Sequence, residues 1–168
     1  MKTRFLITAL VALLALAAVG VAGADTIRGT KGDDVLMGTP DNDFIRGLAG
    51  NDMIDARNGD DIAFGGRGND VINGGPGNDL IRGRAGNDTI DGGEGNDRIF
   101  VGPGADVENG GPGDDVMHAV YPDGQLDQID CGPGNDTVYL NPNEHDTAVN
   151  CETVKYVTPE TTGDADDT

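Results

Sequence analysis

Aspartate recurs every nine residues through most of this chain. Asp25, Asp34, Asp43, Asp52, Asp61, Asp70, Asp79, Asp88, Asp97, Asp106 and Asp115 make eleven consecutive positions in register. After a three-residue slip the register resumes at Asp127 and Asp136. A strict short period demands a fold that repeats with it. Such a unit is too small to bury its own apolar face, so it must stack on its neighbours.

The rest of the unit is equally regular. The clearest copies are GGRGNDVIN (65–73), GGPGNDLIR (74–82), GRAGNDTID (83–91) and GGEGNDRIF (92–100). With positions numbered one to nine, Gly falls at one, two and four, Asn or Asp at five, and Asp at six. Position eight is aliphatic: Leu36, Ile45, Ile54, Ile72, Ile81, Ile90, Ile99, Met117, Ile129 and Val138. The pattern reads as a turn followed by a very short strand. Glycine permits positive φ and close backbone approach, and Asn at position five tolerates the left-handed region. Positions seven to nine are extended, with the middle side chain inward and its neighbours outward.

Composition supports a periodic fold over an ordinary globule. Of 168 residues 28 are Gly, aromatics make up 4%, and Trp is absent. The formal charge of −19 disfavours nucleic acid and anionic membrane surfaces, both of which need clustered Lys and Arg. A cation is the natural partner.

The unit resembles the hemolysin-type calcium-binding repeat, the RTX nonapeptide GGxGxDxUx, with U a large aliphatic residue. The resemblance covers about residues 25–139. It implies an all-β fold, a right-handed parallel β-roll with two nonapeptides per coil and Ca²⁺ in the turns. Carried over, one edge holds Asp34, Asp52, Asp70, Asp88 and Asp106, and the other Asp43, Asp61, Asp79, Asp97 and Asp115. The implied ligands are these carboxylates with turn carbonyls, among them Gly66, Gly68, Gly75, Gly77, Gly86, Gly93 and Gly95. Four neighbouring pairs on each edge make room for about eight ions. The chemistry agrees: Ca²⁺ takes six to eight oxygen ligands, and Cys and His are absent from the repeat turns. So thin a core implies that folding is coupled to the ion.

Several positions depart from the pattern. Asp41 and Gln125 replace the glycine of position four, while Thr30, Thr39, Leu48, Arg57 and Arg84 replace that of position two. Glu108 stands at an inward position, which is unfavourable unless it is paired or displaced. Sites around Asp61, Asp70, Asp79, Asp88 and Asp97 conform best.

The N-terminus reads as an export signal. Lys2 and Arg4 precede an apolar run, Phe5 to Val21, and Ala22-Gly23-Ala24 fits a small-residue cleavage pattern. Residues 1–24 are thus expected to be a signal peptide, leaving a secreted or cell-surface chain with no stable membrane insertion. Outside the cytosol, Cys131 and Cys151 most simply form one disulfide, closing a loop worth roughly 3 kcal/mol. The alternative is two free thiols. The expected organisation is a main roll over 25–118 and degenerate repeats with a disulfide-closed cap over 119–157. A disordered acidic tail over 158–168 follows. Tyr139, Val149 and Val154 are candidates to cover the last apolar layer.

The outward positions define two faces. One carries Phe44, Arg46, Phe64, Arg82, Arg98, Phe100 and His118, and the other Val35, Met37, Met53, Asp55, Val71, Asp91 and Val107. The Phe44/Phe64/Phe100 face suggests a surface for a protein partner or for self-association. The plainer reading is cross-strand packing with Arg stems over apolar neighbours.

No active site is legible. The chain has no Ser, its two histidines are His118 and His145, and HExxH is absent. The favoured reading is a non-enzymatic, calcium-dependent structural or surface-binding module. The alternatives are the accessory region of a secreted protease or lipase without its catalytic domain, and an ice-binding solenoid. The last needs a Thr ladder, yet position three reads Lys31, Pro40, Ala49, Asn58, Arg67, Pro76.

Overall fold

A computed structural model describes residues 23–158. The expected signal and tail therefore lie almost wholly outside the described residues. Fifteen short strands alternate between two sheets among these residues. The eight-stranded sheet contains β1 (Thr26–Arg28), β3 (Phe44–Ala49), β5 (Ile62–Arg67), β7 (Leu80–Ala85), β9 (Arg98–Phe100), β11 (Val116–Ala119), β13 (Thr137–Leu140) and β15 (Thr153–Tyr156), in that spatial order. The seven-stranded sheet contains β2 (Val35–Met37), β4 (Met53–Asp55), β6 (Val71–Pro76), β8 (Thr89–Glu94), β10 (Val107–Asn109), β12 (Gln128–Asp130) and β14 (Thr147–Val149).

Every pair is parallel and joins strands one coil apart. Thr26 pairs with Phe44, Phe44 with Ile62 and Ile62 with Leu80, so each coil is two nonapeptides. The result is a β-roll of about seven turns. The three-residue slip is absorbed within one coil: Val107 pairs with Gln128 and Val116 with Thr137, and both ladders continue in parallel.

The core is built mainly of two ladders of position-eight side chains, one from each sheet. Ile45, Ile54, Ile72, Ile81, Ile90, Ile99 and Met117 are all essentially inaccessible. One branched side chain per strand suffices because each stacks on the one a coil away. Glu108 interrupts one ladder between Ile90 and Ile129, with which it is in register. It is neither paired nor displaced: it is fully buried and neither carboxylate oxygen has a hydrogen-bond partner.

Of the three candidates to cover the last apolar layer, Val154 alone stands at the inward register. Val138 and Leu140 turn inward, while Tyr139 between them points out. Val149 sits on the outward side of β14 and is 54% exposed. Val154 is aligned with buried Val138, yet it is exposed because β15 is the last strand of its sheet. Alternation along each strand decides which residue is inward, and it selects different residues from those that apolarity alone suggests. The cysteines do form a disulfide, with Cα atoms 5.2 Å apart. It follows β12 and β14 and so ties two adjacent coils of one sheet.

Candidate metal centre

The aspartates of position six line both edges of the roll, and their two oxygens have different fates. Oδ1 accepts the backbone N–H of the aspartate one coil earlier. Asp52 does so from Asp34, Asp70 from Asp52 and Asp88 from Asp70 on one edge. Asp79 does so from Asp61, Asp97 from Asp79 and Asp115 from Asp97 on the other. The ladder bridges the slip, since Asp127 accepts from Asp106 and Asp136 from Asp115. Oδ2, by contrast, is buried and unpartnered on Asp52, Asp61, Asp70, Asp79, Asp88, Asp97, Asp106, Asp115 and Asp136. A buried polar atom without a partner is costly, and here nine recur in one structural position.

What faces these atoms is backbone carbonyl oxygen. A Cβ added at Gly92 would lie 2.5 Å from Asp97 Oδ2 and 2.5 Å from the Gly110 carbonyl oxygen. Gly110 meets Asp115 Oδ2 and the Cys131 carbonyl in the same way, and Gly74 meets Asp79 Oδ2 and the Gly92 carbonyl. The position-one glycines Gly47, Gly65, Gly74, Gly92 and Gly110 thus each leave a small cradle, where the aspartate of the same repeat and a carbonyl of the next coil converge.

Among the described residues no three His, Cys, Asp or Glu side chains converge. Carbonyl oxygens must therefore complete any ligand set. Oxygen-only donors with two carboxylate-bearing coils per turn suit a hard divalent cation such as Ca²⁺ rather than Zn²⁺.

Burial raises the carboxyl pKa values strongly. Asp61, Asp70, Asp97 and Asp106 are pushed up to about 6, and Asp79, Asp88, Asp115 and Asp127 to about 7. Desolvation is the first cause in each, and the charge of neighbouring aspartates adds to it. The N–H donated to Oδ1 acts in the opposite sense but does not win. Without a cation these edges therefore hold their charge at a cost.

The first two coils are built differently. Thr30 and Thr39 occupy position two, and each donates its backbone N–H to Asp34 Oδ2 or Asp43 Oδ2, both at 2.5 Å. Their hydroxyls add bonds of 3.0 and 3.1 Å to the same carboxylates. Neither Thr has positive φ, whereas Gly66, Gly75 and Gly93 at the same position do. Leu48, Arg57 and Arg84 keep that left-handed turn despite their side chains, with φ of 88°, 78° and 79°.

The sequence-predicted carbonyls of Gly66, Gly68, Gly75, Gly77, Gly86, Gly93 and Gly95 lie in the turns, at positions two and four, which carry the positive φ. Position-one carbonyls, at Gly65, Gly83, Gly92, Gly110 and Cys131, also converge on cradles that hold a free Oδ2. Position five also differs from expectation. Its Asn residues do not adopt positive φ; Asn51, Asn69 and Asn78 accept the N–H of Asn69, Asn87 and Asn96 one coil on.

A family model for the RTX calcium-binding nonapeptide repeat matches residues 19–54, 37–72, 55–90, 73–108 and 91–119. The chain belongs to the RTX calcium-binding nonapeptide repeat family. Together these matches span residues 19–119, more than half of the chain. Calcium binding and the β-roll come with RTX membership, and the aspartate ladder in the turns accords with both. No curated protein matches the chain. Among the described residues, no helix is long and apolar enough to cross a membrane.

Proposed function

We infer that this RTX chain is a secreted, non-enzymatic module. Its roll would assemble around Ca²⁺ and serve as a structural or surface-binding element outside the cell. The observation that carries the reading is the row of buried, unpartnered Oδ2 atoms, with a position-one carbonyl converging on the same cradle at Asp52, Asp70, Asp79, Asp97 and Asp115. An ion between successive coils satisfies both groups at once and offsets the repulsion along the edge.

The ligand set follows from the same pairing. Asp52, Asp70, Asp88, Asp106 and Asp127 supply one edge, and Asp61, Asp79, Asp97, Asp115 and Asp136 the other, for about eight ions. Asp34 and Asp43 stand apart, because Thr30 and Thr39 already satisfy their carboxylates. Folding is then linked to binding, since the ligands of each site come from different coils. Export to a compartment with abundant calcium suits sites built from so few charges each.

Isothermal titration with Ca²⁺ and with Mg²⁺, followed in parallel by far-UV circular dichroism, tests this. The expected result is several ions bound per chain, with β signal appearing only for Ca²⁺. Saturation at a single ion, or an equal response to Mg²⁺, would sink the ligand assignment.

A further inference from the structure

The two outward faces of the roll carry opposite charge. On the eight-stranded sheet the position-nine column runs Arg28, Arg46, Phe64, Arg82, Phe100, His118, Tyr139, Lys155, each in register with the next. No acidic side chain stands at positions seven or nine of that face. On the seven-stranded sheet the position-nine column carries Asp55, Asp91 and Asp130, and no Lys or Arg stands there. Cations in a chain of net charge −19 have been gathered on one side.

Each face also has an apolar column at position seven. Phe44, Ile62, Leu80 and Val116 form it on the cationic side, half-buried by their neighbours, with Arg98 between the last two. Val35, Met53, Val71 and Val107 form it on the acidic side, and they are bare: Met53 is 55% exposed and Val71 47%. Apolar side chains aligned this way are the most exposed on the repeat body.

The rings on the cationic face do not offer their flat sides. Phe100 stacks on His118 at 4.4 Å and His118 on Tyr139 at 4.5 Å, nearly parallel. Arg46 and Arg82 lie over the remaining Phe rings. Ring faces are thus occupied by the ladder itself, which argues against a flat, neutral partner that stacks on aromatics. A surface with an apolar column beside an acidic one fits better, and the opposite face of the same roll is such a surface.

We propose that this chain self-associates face to back, the cationic sheet of one copy lying on the acidic sheet of the next. Strands run in opposite directions in the two sheets. Apolar column therefore meets apolar column, and cation meets acid, only when the roll axes of the two copies are antiparallel. Each copy keeps one face free, so the contact is heterologous and propagates as a stack. Eight strands about 4.8 Å apart, by roughly 15 Å across, give a face on the order of 500 Å². A standard interface uses about 800 Å² per partner. Association is accordingly weak, in the upper micromolar range, and weakened further by salt. It requires only the folded roll, whatever the ion ligands are.

Sedimentation of the protein in saturating Ca²⁺, as its host processes it, tests the proposal with two double variants. Arg46→Glu/Arg82→Glu makes the cationic position-nine column acidic, and Asp55→Arg/Asp91→Arg makes the acidic one basic. All four positions are outward, and circular dichroism in Ca²⁺ verifies that each variant folds. The wild type is expected to gain mass with concentration and to lose that gain in high salt. Each variant alone is expected to stay monomeric, and an equimolar mixture of the two to regain the wild-type mass. A wild type monomeric at every concentration overturns the proposal, as does association that survives in the Asp55→Arg/Asp91→Arg variant. Failure of the mixture to recover overturns it as well.

Discussion

Removal of Ca²⁺ at neutral pH should unfold the roll, and acid should partly restore it. Asp61, Asp70, Asp97 and Asp106 stand near 6, and Asp79, Asp88, Asp115 and Asp127 near 7, against an ordinary value of 3.8. Each holds its proton more tightly in the folded chain than in the unfolded one. The stability lent by these groups is therefore whole below pH ~4 and drains away as pH rises through 6 and 7. One pH unit is worth about 1.4 kcal/mol. Two to three such steps on each of eight groups would exceed the whole stability of a domain, about 5–15 kcal/mol. Water along the turn edges screens this to roughly 1 kcal/mol per group. Even so, about 8 kcal/mol is lost between acid and neutral pH, enough to unfold so thin a core. The assay is far-UV circular dichroism in EDTA at pH 7.5 and at pH 5, the latter kept above the isoelectric point of about 4.1. Sedimentation of the same samples controls for precipitation. Coil at pH 7.5 and recovered β signal at pH 5 are expected. A β spectrum in EDTA that is equal at both pH values, or stronger at pH 7.5, would refute the reasoning. The aspartates would then be held by something other than an ion or a proton.

Three further outcomes follow from single positions. Gly92→Ala places a methyl 2.5 Å from both Asp97 Oδ2 and the Gly110 carbonyl, so calorimetry should register the loss of at least one ion; Gly32→Ala, whose nearest neighbour is Thr30 Oγ1 at 4.0 Å, should lose none. Glu108→Leu replaces a fully buried, unpartnered carboxyl whose pKa burial drives well above the ordinary range; thermal melting in Ca²⁺ should show stabilisation of about 2 kcal/mol. Arg57→Gly relieves a side chain held at φ 78° and should stabilise by about 1 kcal/mol in the same assay, whereas Gly93→Arg at the equivalent position should destabilise.

The aspartate period made the ion site legible before any coordinate, because a carboxylate ladder at constant spacing has few other uses. Position eight was legible as the core for the same reason: Ile45 through Ile99 recur with the period and are all buried. The carbonyl partners were harder to read. Glycine at positions two and four announces a turn, and that turn is real; the structure adds the position-one carbonyls that approach the same cradles as Oδ2. Composition does not report which way a carbonyl points. Tyr139 and Val149 face outward for a related reason, since apolarity marks a residue as fit for burial but not as facing inward.

The sequence by itself determined a repeating unit with one aliphatic and one aspartate at fixed places, and its resemblance to the RTX nonapeptide implied the roll, the two-repeat coil and the calcium ion. Tertiary structure alone decided how each carboxylate divides its oxygens, one to an N–H a coil away and one left over. It also decided that Thr30 and Thr39 satisfy their aspartates within the turn. The carboxylate ladder joins residues eighteen apart along the chain, and the threonine bonds, though only four apart, depend on the turn conformation. No local pattern encodes them until the coils are laid side by side.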